Sequence, residues 1–286
     1  MRALPIIVLA SVARAALAQP ISVVNHSFEA NAVDSGCFDA FGPPSGWSLY
    51  DPFGIVSQGN FFGVLDPGPS PYFLAGQVPD GEQVALLFFS GSVGQGELGL
   101  TQQLGVQLEG GRVYRLSVGV GNIASGASPV PPCSNGDFFN LDGFPGYAVQ
   151  LVAGGVVIGE DRNTLFGMIP EGEFRESVVE VNIPADHAQV GAGLEIRLIN
   201  LNEDDPTSPQ PGIEVDFDDV RLEALDAPCA ADWDGSGGQP NSSDFLAYLN
   251  DFSMQDPAAD LAPPEGDGGF DSSDFLAFLN LYAQGC

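Results

Sequence analysis

Between residues 19 and 226 the apolar residues fall in short runs separated by Gly, Pro, Ser and Asn. The runs cover 21–28, 83–89, 113–120, 147–152, 156–159, 177–183, 194–201 and 213–222, and none sustains a helical period. In 178–183, Val179, Val181 and Ile183 alternate with Val178, Glu180 and Asn182, the spacing of a half-buried strand. Many short strands between turn signals predict a mainly β protein, an all-β sandwich over residues 19–226, of a length usual for one domain. Two long polar segments, 122–146 and 202–212, interrupt the pattern, and long loops on a rigid sandwich are where function tends to sit.

The period changes after residue 226. Phe245, Tyr248, Leu249 and Phe252 follow i, i+3, i+4, i+7 spacing, and so do Phe275, Phe278, Leu279 and Tyr282. Each set predicts an amphipathic helix too short to be stable alone in water. The segment 241–250 (NSSDFLAYLN) returns as 271–280 (DSSDFLAFLN) with eight of ten positions identical, so the two helices are copies expected to work as a pair. We therefore divide the chain into 1–18, 19–226 and 227–286.

An Asp/Gly-rich run precedes each helix, and short carboxylates alternating with turn-permitting residues suit calcium, which takes six to eight oxygen ligands. In the first copy Asp232, Asp234 and Ser236 are candidate ligands, Gly237 supplies the tight turn, Gly238 offers a carbonyl and Asp244 closes the loop. In the second copy Asp260, Asp267, Asp271 and Asp274 take the matching places, with an insertion at 262–265 that leaves Glu265 as a substitute ligand. Residues 229–286 hold ten acids and no Lys, Arg or His, a cluster that repels itself without cations. Two Ca2+ ions are expected in this part of the chain.

Charge and cysteines narrow the class. The formal net charge is −30 and the chain has no lysine, which disfavours nucleic acid and anionic membranes as partners. Arg2, the apolar stretch 4–12 and Ala16-Leu17-Ala18 read as a secretory signal cut after Ala18, so the protein is expected outside the cell or on its surface. No later stretch is apolar enough over some 18 residues to span a membrane.

The last sixty residues resemble a dockerin-type module of the kind bracketed by cysteines. The resemblance is carried by DWDGSGG, NSSDFLAYLN, GDGGFDSSDFLAFLN and the closing Gly285-Cys286. It implies paired calcium half-hands, with Ser242, Ser243, Ser272 and Ser273 facing a cohesin-like protein partner. Four cysteines allow three pairings, and we expect Cys229–Cys286, which clasps this module, with Cys37–Cys133 joining two loops of the sandwich. The frame VVNHSFEA … PPSGW … EVDFDDVRL resembles secreted galactose-binding-like jelly rolls. That resemblance implies a jelly-roll β-sandwich, a carbohydrate ligand, and one structural calcium held by Glu29 and Asp218.

An enzyme reading finds little support in the residues. There are two histidines, His26 and His187, and no G-x-S-x-G elbow. Glu171, Glu173 and Glu176 suggest a paired-carboxylate glycosidase, but Pro170 and Gly172 mark a solvated turn. Trp47 suits a core position as well as a sugar-stacking one. The sequence thus points to a secreted, non-catalytic binding protein without catalytic residues, docked through calcium, with carbohydrate as the ligand its resemblance implies. The alternatives are a glycoside hydrolase or lyase subunit and a structural surface protein.

Overall fold

The computed structural model describes residues 18–56, 60–68, 70–89, 94–128, 136–203, 213–226, 229–236, 239–262 and 266–285. Residues 1–17, which hold the expected secretory signal, and Gly237, Gly238, Glu265, Cys133 and Cys286 therefore lie outside the described residues. The chain forms two compact units, one spanning Gln19–Ala224 and the other containing Leu225–Cys286.

Fourteen strands are found among the described residues. They are β1 (Gln19–Ile21), β2 (Phe38–Asp39), β3 (Ser48–Tyr50), β4 (Asn60–Leu65), β5 (Val84–Phe89), β6 (Leu98–Gln107) and β7 (Arg112–Asn122), followed by β8 (Gly126–Ala127), β9 (Phe138–Phe139), β10 (Tyr147–Ala153), β11 (Val156–Arg162), β12 (Glu173–Ile183), β13 (Gly193–Asn200) and β14 (Glu214–Asp226). One sheet runs β12-β7-β14-β5-β4-β2, with β1 also paired to β14, and the other runs β11-β10-β13-β6-β3. The main pairings are antiparallel, for instance β12 on β7 and β10 on β13. Strands β8 and β9 make a separate two-stranded ribbon.

Alternation decides which side chains meet between the sheets. Leu116, Val118, Val215, Phe217 and Leu87 from the first sheet share one buried core with Val149, Leu151, Ile196, Leu198 and Leu100 from the second. The first sheet carries a second apolar cluster with Leu65, Val84 and Leu86, covered by Tyr72, Phe73, Leu141 and Phe174. An apolar cover on both faces is why Val84–Phe89 reads as a continuous apolar run. The predicted strand at 21–28 ends early, because Asn25 and Phe28 adopt positive φ (51° and 60°) and the Phe28 N–H donates to the Asn25 carbonyl in a turn. Trp47 is buried against Phe28, with ring centroids 5.5 Å apart, so it belongs to the core and not to a sugar platform.

One polar staple crosses the sandwich at its β11–β12 edge. Asp161 on β11 accepts the Tyr147 hydroxyl from β10 (2.7 Å), the Ser177 hydroxyl from β12 and the Thr164 N–H. Burial, reinforced by the Asp161 carboxylate, pushes the Tyr147 phenol up to about 12, which keeps it a donor.

In the smaller unit the predicted helices form as α1 (Ser242–Met254) and α2 (Ser272–Gln284). Asn241 and Asp271 are their N-caps, and Asp244 and Asp274 complete a capping box in each copy. Their aromatic faces meet as expected: Tyr248 stacks on Phe278 at 3.9 Å and 3°, and Trp233 sits edge-on to both rings. Cys37 and Cys229 are each disulfide-bonded, while their expected partners fall outside the described residues. No helix among the described residues is long and apolar enough to cross a membrane.

Replacing Asp161 by Ala removes the acceptor of the buried Ser177 hydroxyl and leaves the Tyr147 hydroxyl with Thr164 and the Leu165 N–H. The expected loss is about 2–4 kcal/mol, read as a lower urea midpoint at unchanged m-value.

Candidate active site

Strand β14 shows how a sequence of alternating acids builds a buried polar row. Val215 and Phe217 point into the main core, so Glu214, Asp216 and Asp218 share the opposite face. Asp219 then takes a positive φ of 50°, and Val220, Leu222 and Ala224 become the inward set. Two residues thus separate successive inward positions at this point, the mark of a bulge. The acids face outward from the main core yet are not solvated: Glu214 is 3% exposed, and Asp216 and Asp218 are fully covered.

Register with β5 sets Glu214 opposite Phe88 and Asp216 opposite Leu86, and β4 adds Phe61 opposite Phe88. Glu214, Phe88, Leu86 and Phe61 line a cavity of about 270 Å3 whose walls include Tyr72, Ile123 and Leu141, while Asp216 does not reach it. Phe38, Phe41 and Phe139 line it while remaining solvent-facing, Phe41 at 85% exposure. Glu214 is the one ionisable carboxyl among the lining residues. An apolar concavity with one convergent polar group is the usual form of a small-molecule site.

Burial in this apolar setting disfavours the charged carboxylate. It pushes Glu214 up to about 8. It pushes Asp216 well above the usual carboxylate range, with the neighbouring Glu214 charge adding to the effect. Asp218 is raised to about 8 by burial, even though its Oδ2 accepts the Asp80 N–H at 2.8 Å. Near pH 7 the row therefore retains protons, and an acid held neutral beside an apolar cavity can donate one.

The structure places the sequence candidates elsewhere. Glu29 and Asp218 approach the same loop, but Glu29 accepts the N–H groups of Glu82 and Gln83 and the Gln83 amide. Neither Glu29 nor Asp218 belongs to a group of three or more acidic, histidine or cysteine side chains within one ion's reach among the described residues. His26, Asp80 and Asp219 do form such a group, within 4.8 Å of one another, and Arg221 pairs with both carboxylates there. In the smaller unit Asp232, Asp234 and Asp244 come within the same distance, and Ser236 donates its N–H to Asp234. The second expected loop is built differently. Asp260 accepts the N–H groups of Asp267 and Gly268, Asp267 that of Gly269, Asp271 that of Ser273, and Asp274 those of Leu261 and Ala262. These carboxylates serve as turn and cap acceptors, so the matched two-site calcium arrangement is not supported. Ser242, Ser243, Ser272 and Ser273 lie exposed in the first helical turns. His187 closes a turn by accepting the Gln189 N–H, and Glu173 pairs with Arg175 at 2.7 Å.

A buried proton donor under an aromatic-lined cavity on a β-sandwich is the arrangement of an enzyme acting on a small apolar molecule. The sequence belongs to the HpiC1-like cyclase family, whose model (HpiC1 cyclase) matches residues 19–223. Solved structures agree. A cyclase from Fischerella sp. TAU is 33% identical over 74% of this chain and 100% of its own, with a TM-score of 0.62. The Stig cyclase Fisc from the same organism, in complex with (3Z)-3-(1-methyl-2-pyrrolidinylidene)-3H-indole, is 34% identical with the same coverage and TM-score. A third, a cyclase from Fischerella sp. TAU in complex with 4-(1H-indol-3-yl)butan-2-one, is 33% identical over 73% of this chain and 99% of its own, with a TM-score of 0.62. No curated protein matches the chain.

These findings correct several expectations. The non-catalytic binding protein is replaced by a cyclase-family enzyme, and the glycosidase alternative falls with it. Neither a dockerin nor an EF-hand assignment is supported for residues 227–286, so the cohesin-like partner is withdrawn, as is the carbohydrate ligand. The repeat misled because a capping box followed by an aromatic helix, written twice, produces the same Asp/Gly-then-helix pattern as a duplicated calcium loop. Sequence reasoning missed Glu214 and Asp216, although the E-x-D-x-D alternation in 214–218 was a usable signal.

A raised carboxyl pKa also fixes a stability trend. The folded chain keeps protons on Glu214 and Asp218 that the unfolded chain, with ordinary values of 4.5 and 3.8, has already released. Their contribution is complete below about pH 4 and is lost as pH rises through about 8. Thermal unfolding of the wild type should show that decline, and Asp218→Asn should flatten it. An identical slope in the variant would remove Asp218 from the account.

Proposed function

We propose that this chain is an acid-catalysed cyclase acting on a small indole-bearing molecule. One observation carries the reading: Glu214, the ionisable carboxyl lining an aromatic cavity, is held neutral there by burial. Indole-type ligands in the related Fischerella structures support the substrate class, and the flat faces of Phe61, Phe88 and Tyr72 suit an aromatic ring.

In this mechanism the cavity holds the substrate in a folded conformation with water excluded. Glu214 gives its Oε proton to an electron-rich substrate atom, and its O–H bonding pair stays behind on the carboxylate. The resulting cation closes a new ring by capturing electrons of a neighbouring π bond. Loss of a proton from the cyclised cation back to Glu214 restores the acid, so substrate and product have the same mass. The aromatic walls stabilise the cationic stage, since ring faces attract positive charge.

A structural calcium ion belongs to the proposal as well. Asp232, Asp234 and Asp244 fit it best, because they offer hard oxygens within one ion's reach and no basic residue is present in 229–286 to balance them. The ion would order the loop ahead of α1, and no step of the reaction runs through it. Secretion by way of the leader ending at Ala18 is part of the same proposal.

Incubation of the protein with indole-bearing candidate substrates, followed by chromatography for a product of unchanged mass, tests the reading. Glu214→Gln should lower turnover by about 10²-fold or more, and wild-type turnover should fall as pH rises through about 8. Full turnover in Glu214→Gln would exclude this residue as the acid.

A further inference from the structure

The residues lining the cavity are graded by exposure and by kind. Leu65, Leu86, Ile123 and Leu141, the aliphatic members, are all buried, as are Tyr72 and Glu214. Phe38, Phe41 and Phe139 are 44%, 85% and 36% exposed, so the rim is aromatic. Phe61 and Phe88, half-buried with ring centroids 5.6 Å apart, complete the lining. A single apolar side chain in water is ordinary, but three of them around one opening form a patch that asks for a partner. Phe41, the most exposed of the three, is carried on a backbone tied down at several points. Phe38 and Asp39 pair with Leu65 and Val64 on β4, and Phe41 itself bridges Phe62. The Asp66 N–H donates to the Cys37 carbonyl, and Cys37 is disulfide-bonded. Gly63 lacks a side chain where the main chain of Asp39 and Ala40 passes, and a Cβ there would overlap the Asp39 carbonyl. The ring is thus held out into water from a fixed base.

We propose that Phe41 is a specificity-determining residue, which clasps the aromatic ring of the substrate at the mouth of the cavity and turns the rest of the molecule inward toward Glu214. This rests on the reading of the cavity as an indole site and adds which end of the substrate enters first. Two arguments fix the orientation. Aromatic rings gain from offset or edge-on contact with one another beyond the area they cover, and the exposed rings are at the rim while the aliphatic side chains are inside. An indole N–H placed deep in the cavity would need an acceptor, and Tyr72 and Glu214 are the polar side chains among the lining residues. At the mouth water satisfies that N–H, and Glu214 is left free for the inward part of the molecule. Ring recognition and proton delivery then fall to different ends of one cavity, and a molecule without the ring lacks the contact that orients it.

The test is isothermal titration calorimetry of the full-length protein with two ketones. One is 4-(1H-indol-3-yl)butan-2-one, the ligand of a related structure, and the other is 4-cyclohexylbutan-2-one, which has no aromatic ring. The wild type should prefer the indolyl ketone. Phe41→Leu keeps an apolar side chain and removes the ring; it should weaken the indolyl ketone about fivefold and the cyclohexyl ketone by less than about twofold. Phe41→Trp keeps a ring and should hold the wild-type preference. A side chain as exposed as Phe41 contributes little to folding, and an unchanged urea midpoint in both variants checks this. An equal loss for both ketones in Phe41→Leu would make the residue a general apolar cover. No loss for either, or the same loss in the leucine and tryptophan variants, would remove the ring from recognition. Each of these results overturns the proposal and leaves the cyclase reading standing. A wild-type protein that does not bind the indolyl ketone at all would instead remove the indole site, and the proposal with it.

Discussion

Desolvation of three carboxyls on one strand face is the constraint around which the larger unit is arranged. Strand β14 places Glu214, Asp216 and Asp218 on one face, where all three are almost wholly withdrawn from water. In water three such groups would be anions at neutral pH. Under that cover they retain protons, and a stabilising scaffold has to be strong enough to hold them there. The main core on the other side of the same strand, with Val215 and Phe217 fully buried, supplies that strength. The site and the core are thus two faces of one strand, and the covalent geometry of a pleat couples them.

The polar staple at Asp161 and the carboxyl row at 214–218 answer the problem of buried acids in opposite ways. Asp161 collects two hydroxyls and an N–H, a set of donors that suits an anion. Asp216 collects no donor at all. The contrast separates an acid held by a set of donors from one enclosed without any.

Much of the fold was readable. Val179, Val181 and Ile183 gave the strand period directly, and the period-3.6 placement of Phe245, Tyr248, Phe275 and Phe278 gave the two helices and their shared aromatic face. The jelly-roll frame pointed to 214–222 as a closing strand. The site was harder to see. Alternation of Glu214, Asp216 and Asp218 with Val215 and Phe217 shows that three acids share a face, but a one-sided strand ordinarily turns that face to water. Tertiary packing buries it, with Tyr72, Phe139 and Leu141 closing round Glu214 and the Asp80 loop meeting Asp218, and no local pattern encodes such contacts. The repeat had the reverse fault. Its local signal was strong, and the capping requirement of a helix start was enough to produce it: the orphan N–H groups of a first turn attract Asp and Asn as surely as an ion does.

The bulge at Asp219 has a consequence for how this strand can vary over evolutionary time. It marks the point where the inward-facing parity of β14 changes from odd to even numbers. Straightening the strand there without losing a residue would put the two halves in one phase, swinging either the acids into the oily interior or Val220, Leu222 and Ala224 out of it. Bulge and length are therefore linked: a relative that straightens this strand should carry one residue fewer between its acids and its closing apolar residues.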